Sequence, residues 1–131
     1  MTGRVYVDAS AAVKLVVSEA ESASVRQFLA VQVSHISSRI LAVELPRAVQ
    51  RIGPELLNQA WSVLGVMEFV ELDEGIAERA AVLEPVGLRS LDAIHLASAL
   101  ALGDDLDAFV TYDSRQADAA RALGLAVAAP A

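Results

Sequence analysis

Leu88–Gly103, LRSLDAIHLASALALG, is the stretch on which the reading of the chain turns. Between Arg89 and Asp104 its only charged residue is Asp92. A segment apolar on nearly every face predicts a helix inside the domain, with Ser90 as its N-cap. A carboxylate in the first turn of such a helix sits in low dielectric unless donors or a cation compensate it, and the helix N-terminus offers partial positive charge there. Capping alone would account for one such acid. Three more share its isolation: Asp8 is the only charge between Arg4 and Lys14, Glu44 the only one between Arg39 and Arg47, and Asp113 follows the uncharged run Ala108–Tyr112.

Working outward, strands alternate with helices. Arg4–Asp8, RVYVD, reads as a short buried strand ending on its acid, with Ser10 as a cap and a helix over Ala11–Val17. A helix over Ala20–Leu29 and a strand over Val33–Ser37 follow. Ser38 opens a third helix whose stripe is Leu41, Leu45, Ala48, Val49 and Ile52, with Glu44 on the edge of that stripe. Pro46 removes a backbone donor and predicts a kink or a displaced start. Gly53-Pro54 breaks the chain before a helix over Glu55–Leu64. Val66–Leu72 reads as a strand, and Asp73 as the cap of a helix reaching Leu83. Beyond the Asp92 helix, Asp104, Asp105 and Asp107 read as a solvated turn, Ala108–Tyr112 as a strand ending at Asp113, and Ser114–Leu123 as a helix stopped by Gly124. Leu125–Ala128 adds an edge strand.

This alternation predicts an α/β fold of three layers, a mainly parallel sheet of four or five strands between helices. Residues 1–131 are read as a single domain, since the length suits one core and not two. A hydrophobic fraction of 55% excludes a disordered chain. Lys14 and Asp8 interrupt the apolar N-terminus, which excludes a secretory signal, and no run approaches the roughly 18 apolar residues of a membrane span. With no cysteine, thiolate metal sites are excluded, in agreement with a reducing cytoplasm.

In open parallel sheets ligands gather beyond the carboxyl ends of the strands, where strand order reverses. Asp8 and Asp113 each end a strand, so neighbouring strands would bring them together. Singly, each of the four acids has an ordinary explanation as a cap, a turn residue or a solvated edge. In one pocket they would repel and raise one another's pKa values, a conflict that a hard divalent cation relieves. Oxygen-only ligands point to magnesium or manganese rather than zinc. The net charge of -7 argues against a standing nucleic-acid surface. Setting four site acids aside leaves 13 acids against 10 bases, a balance of -3, so acidity does not exclude a polyanionic substrate.

VYVDASAAVKL, SRILAVELPRA, LRSLDAIHLASAL and FVTYDSRQADAARALGL resemble, in order, the four signature blocks of the PIN-domain nucleases, specifically the VapC-type toxins of bacterial toxin-antitoxin pairs. The resemblance spans almost the whole chain. It implies an α/β/α domain, usually dimeric, that cleaves RNA endonucleolytically with Mg2+ or Mn2+, leaving 5′-phosphate and 3′-hydroxyl ends, and that a cognate protein antitoxin blocks. It implies Asp8, Glu44, Asp92 and Asp113 as the acidic quartet, Asp8 and Asp92 binding metal directly and Glu44 and Asp113 directly or through water. Ser10 and Thr111 are implied as their polar supporters. The chain departs from the pattern at Pro46, and at Gln116, where many relatives carry a further acid; Asp118 is left outside the site.

Other polar residues are read more plainly. His95, on the same side of the helix as Asp92, reads as a packed, hydrogen-bonded imidazole and not a ligand, and His35 is a weaker candidate still. Arg89, Arg115 and Lys14 admit two readings each, as phosphate contacts or as partners of surface acids. Trp61, with Leu56, Leu57 and Leu64, reads as core or dimer contact and not as a base-stacking platform. The competing reading from another class is a receiver-like phosphoacceptor, with Asp73 and Thr111 in its roles. It wants an acid pair after the first strand and a lysine after the last, and neither is present. A phosphatase of the haloacid dehalogenase type wants Asp-x-Asp where this chain has Asp8-Ala9-Ser10. A catalytically silent PIN scaffold is the third alternative.

Overall fold

A computed structural model describes residues 1–131. Strand β1 (Arg4–Val7) lies at the centre of a five-stranded sheet with β2 (Ser34–Ser38), β3 (Glu68–Val70), β4 (Ala108–Val110) and β5 (Val127–Ala128), in the order β3-β2-β1-β4-β5. Every pairing is parallel. The chain therefore builds outward from β1 to one edge, returns, and continues from β4 to the other edge. The reversal falls between β1 and β4, where Val5 pairs with Ala108, Tyr6 with Phe109 and Val7 with Val110. The neighbouring strands that the sequence requires for Asp8 and Asp113 to meet are thus present.

Alternation along β1 supplies both cores, because successive side chains point to opposite faces. Val5 and Val7 pack with Val110 under α1 (Ala9–Lys14), α2 (Ser22–Ala30), α3 (Leu41–Ile52) and α4 (Leu57–Gly65). Tyr6 points the other way, with Ile36, Phe109, Leu96, Ala99, Ala119 and Ala120, against α6 (Ser90–Leu100) and α7 (Ser114–Ala122). The two clusters make the outer layers of an α/β/α fold. Helix α5 (Glu74–Ala81) packs on α6, and Asp73 caps it by accepting from the Ile76 amide, as expected. Gly124 follows α7 with φ of 87°, the left-handed region that glycine enters without a Cβ clash.

Several boundaries differ from expectation, each for a local reason. The third helix begins at Leu41, not Ser38, because Ser38 stays in β2 and its hydroxyl accepts from the Ile40 amide. Pro46 lies inside α3 without ending it, buried in the core. Ile52, assigned to the apolar stripe, is exposed, and so are Val66 and Leu72, which flank a β3 of only three residues. Trp61 is 51% exposed, so it is not a core residue. Ser90 is the first residue of α6 and not its cap; Arg89 occupies the cap position with no side-chain bond. Nor is α6 buried all round: Leu91 is exposed, and the Asp92 side chain is 28% accessible. No helix is long and apolar enough to cross a membrane.

Candidate active site

Each of the four isolated acids stands at a helix N-terminus. Asp8 and Asp113 are the N-caps of α1 and α7, the first accepting from the Ala11 amide and the second from the amides of Arg115 and Gln116. Ser10 is therefore not the cap of α1; it is the second residue of that helix. Glu44 and Asp92 lie in the first turns of α3 and α6. All four line one cavity of about 380 Å³, together with Ala9, Ser10, Arg89, Ser90, Leu91 and His95. Four helix N-termini directed at one hollow offset part of the repulsion among the acids. No three carboxylates or imidazoles stand close enough to make a closed ligand set by themselves.

Asp8 is the most confined of the four, at 4% exposure. The Ser10 hydroxyl donates to its Oδ1 at 2.7 Å, and the Ala11 amide to the same oxygen at 3.1 Å. Burial raises its pKa above the usual carboxylate value, against the lowering effect of the Thr111 and Ser10 hydroxyls and the Ala11 amide. Ser10 also accepts from the Tyr112 amide at 2.9 Å and lies 3.2 Å from the Thr111 hydroxyl. Thr111 in turn accepts from the Asp113 amide at 3.2 Å. Ser10 and Thr111 thus join the end of β1 to the end of β4, the position that polar supporters of Asp8 and Asp113 require.

The cations divide. Arg89 Nε lies 3.2 Å from Asp92 Oδ2, and its Nη2 lies 3.8 Å from Asp113 Oδ2, on a side chain that is 75% exposed. Arg115 makes no ion pair and lines, with Arg89 and Asp92, an adjoining groove of about 620 Å³ floored by Leu88, Ala119 and Leu123. Lys14 is taken up by Glu21 at 2.8 Å and Glu19 at 3.7 Å and lies over the Tyr112 ring, so it is a partner of surface acids. Asp104, Asp105 and Asp107 stand apart from the cavity; Asp107 fastens the N-terminus by accepting from the Thr2 and Gly3 amides.

His95 is buried and hydrogen-bonded on both nitrogens, to the Tyr6 hydroxyl and to Glu44, each at 2.7 Å. The reading of His95 as a packed imidazole holds, but the sequence gives no sign of its link to Glu44. Tyr6 is missed altogether. Its signal is a phenol in the middle of a buried strand, since a buried tyrosine hydroxyl needs a partner. Gln116, in place of a further acid, donates from Nε2 to the Asp92 carbonyl at 3.0 Å, a neutral tie between α7 and α6. Its Oε1 is buried without a partner.

The donor set suits a hard divalent cation. It consists of carboxylate oxygens, and the innermost, on Asp8, is buried with hydroxyl and amide donors but no cationic side chain in contact. A parallel α/β sheet with acids gathered at its reversal of strand order is the arrangement of a PIN domain. The PIN-domain family profile matches residues 5–122, and the chain belongs to this family. Within it the full-length relatives are VapC ribonucleases. The chain is 40% identical over 126 residues to Ribonuclease VapC46 of Mycobacterium tuberculosis, covering 96% of this chain and 97% of that one. It is 43% identical over 130 residues to Ribonuclease VapC35 and 38% over 131 residues to Ribonuclease VapC47 of the same organism, each alignment covering 96% of both chains. The receiver-like alternative falls with this membership. Asp73, its phosphoacceptor, is spent as the cap of α5 beyond the edge strand β3 and does not line the cavity.

Proposed function

We propose that the chain is a metal-dependent endoribonuclease and the toxin of a cytoplasmic toxin-antitoxin pair, with Asp8, Glu44, Asp92 and Asp113 as its catalytic acids. The observation that carries the reading is the meeting of these four side chains, from four separate helix N-termini, on one cavity beside the β1–β4 reversal. Asp8 and Asp92 would hold Mg2+ or Mn2+ directly, with Glu44 and Asp113 holding it directly or through water. When bound, such an ion neutralises phosphoryl charge and makes water a stronger nucleophile. Ser10 and Thr111 keep Asp8 and Asp113 in register. Water attacks phosphorus and the 3′-oxygen leaves, so the products carry 5′-phosphate and 3′-hydroxyl ends.

The implied partners are RNA, a cognate protein antitoxin and a second copy of the chain. Arg89 and Arg115, which line one groove beside the acids, would meet backbone phosphates of the RNA. An antitoxin segment would lie in a second groove, of about 550 Å³, lined by Val13, Ile40, Val43, Ala48 and Leu91 with Arg47 and Arg51. This groove shares Ala9, Glu44 and Leu91 with the acid cavity, so a chain laid along it reaches the mouth. The exposed Trp61 is available to the dimer. Incubation of the purified protein with single-stranded RNA and magnesium or manganese tests the activity. Cleavage that disappears in Asp8→Ala and in excess EDTA supports the reading, and full cleavage in either rejects it.

A further inference from the structure

We infer that His95 is a positioning residue for Glu44, held in place by the buried Tyr6 hydroxyl, an inference that rests on the placing of Glu44 in the active site. The four acids are oriented by different means. Asp8 and Asp113 are gripped by backbone amides as helix caps. Asp92 faces Arg89, an exposed surface cation. Glu44 has the longest side chain of the four, with the most rotamer freedom to lose, and its one side-chain hydrogen bond is the contact of 2.7 Å between its Oε1 and His95 Nε2.

Behind the imidazole stands the Tyr6 phenol, buried in the sheet. Its oxygen lies 2.7 Å from His95 Nδ1. With the Tyr6 hydroxyl on Nδ1, the ring presents Nε2 to Glu44, where an N–H donates to the carboxylate. Tyr6 itself has no room to turn: it is fully buried, its ring stacked on Phe109 at 5.1 Å between centroids and set edge-on to His95. A chain of two hydrogen bonds therefore runs from the centre of the sheet, through α6, to a carboxylate on α3. One Glu44 oxygen is committed to the protein, and the other is left for what the cavity holds.

The test compares His95→Phe, which keeps a ring and removes the donor, with His95→Gln, whose amide can reach the same carboxylate. Manganese affinity by calorimetry falls about 10- to 100-fold in His95→Phe, and the manganese concentration for half-maximal RNA cleavage rises in step. His95→Gln recovers most of both. Adding His95→Phe to Glu44→Gln changes manganese affinity no further, which a general packing defect would not produce. In the metal-free protein, imidazole nitrogen shifts report a proton on Nε2. Equal behaviour of the Phe and Gln variants, wild-type affinity in His95→Phe, or a ring without a proton on Nε2 overturns the inference. If Glu44→Gln itself binds manganese and cleaves RNA normally, the active-site reading fails and takes this one with it. If Glu44→Gln is impaired and His95→Phe is not, only the positioning role fails. Should His95→Phe not fold, Tyr6→Phe keeps the imidazole and loses its anchor; a several-fold loss of affinity supports the inference and none overturns it.

Discussion

Asp8 follows the buried strand β1 as the cap of α1, its carboxylate bonded to one hydroxyl and one amide, with burial raising its pKa. A folded value above the unfolded one of about 3.9 means that the neutral form is the one the fold prefers. The associated stability is fully present below that pH and is lost as pH rises through the higher folded value. Toward neutral pH the metal-free protein therefore loses the stability that the neutral Asp8 carboxyl contributes. Asp8→Asn, which keeps a competent cap, should raise the melting temperature of the metal-free protein at pH 7 by several degrees, on the order of 1–2 kcal/mol. It should also abolish cleavage and remove the stabilisation that manganese gives the wild type. A lower melting temperature for Asp8→Asn would show that the buried charge is not a cost. The isolation of Asp8, Glu44, Asp92 and Asp113 is visible in the sequence because charge is a local property. The pairing of Tyr6 with His95 and of His95 with Glu44 is not, because it joins residues from three elements that only the packed sheet brings together.

At the scale of elements, the site is made by where helices begin. α1, α3, α6 and α7 each present an acid in the cap or the first turn, and their N-termini face one cavity. The helix starts at Asp73 and near Asp113 are legible from their caps, whereas Ser90 and Ser10 mislead because a serine before an apolar run signals a cap whether or not the backbone needs one there. Pro46 is the sixth residue of α3, past its first turn, and removes one bond of the helical ladder without ending the helix. α5 tests the separation of stability from chemistry. Asp73→Ala should cost about 1 kcal/mol through loss of the cap on Ile76, read as a lower melting temperature, while manganese affinity and RNA cleavage stay at the wild-type level. A loss of metal binding in that variant would mean that α5 helps to shape the cavity.

For the whole molecule, the alternation of strands and helices suffices to read three layers and a parallel sheet. Strand order is harder, since β3 and β5 have only three and two residues and carry little pattern of their own. A molecule with a net charge of -7 must meet a polyanion through local cations. Arg89 lines the acid cavity and Arg115 the adjoining groove, whereas Lys14 is engaged by Glu21. Arg115→Ala should raise KM for RNA several-fold and flatten its salt dependence with little change in kcat, measured by cleavage at increasing ionic strength. Lys14→Ala should leave KM unchanged, and an equal rise in both variants would mean that the contact is diffuse.

Folding gathers four distant carboxylates onto one cavity, and in the proposed function they hold one kind of ion. Anomalous diffraction from crystals soaked in manganese addresses that role directly. Manganese density is expected in the cavity bounded by Asp8, Glu44, Asp92 and Asp113, lost in Asp8→Asn crystals; density only at other acids, such as Asp104 and Asp105, or none at all at saturating manganese, would rule this role out.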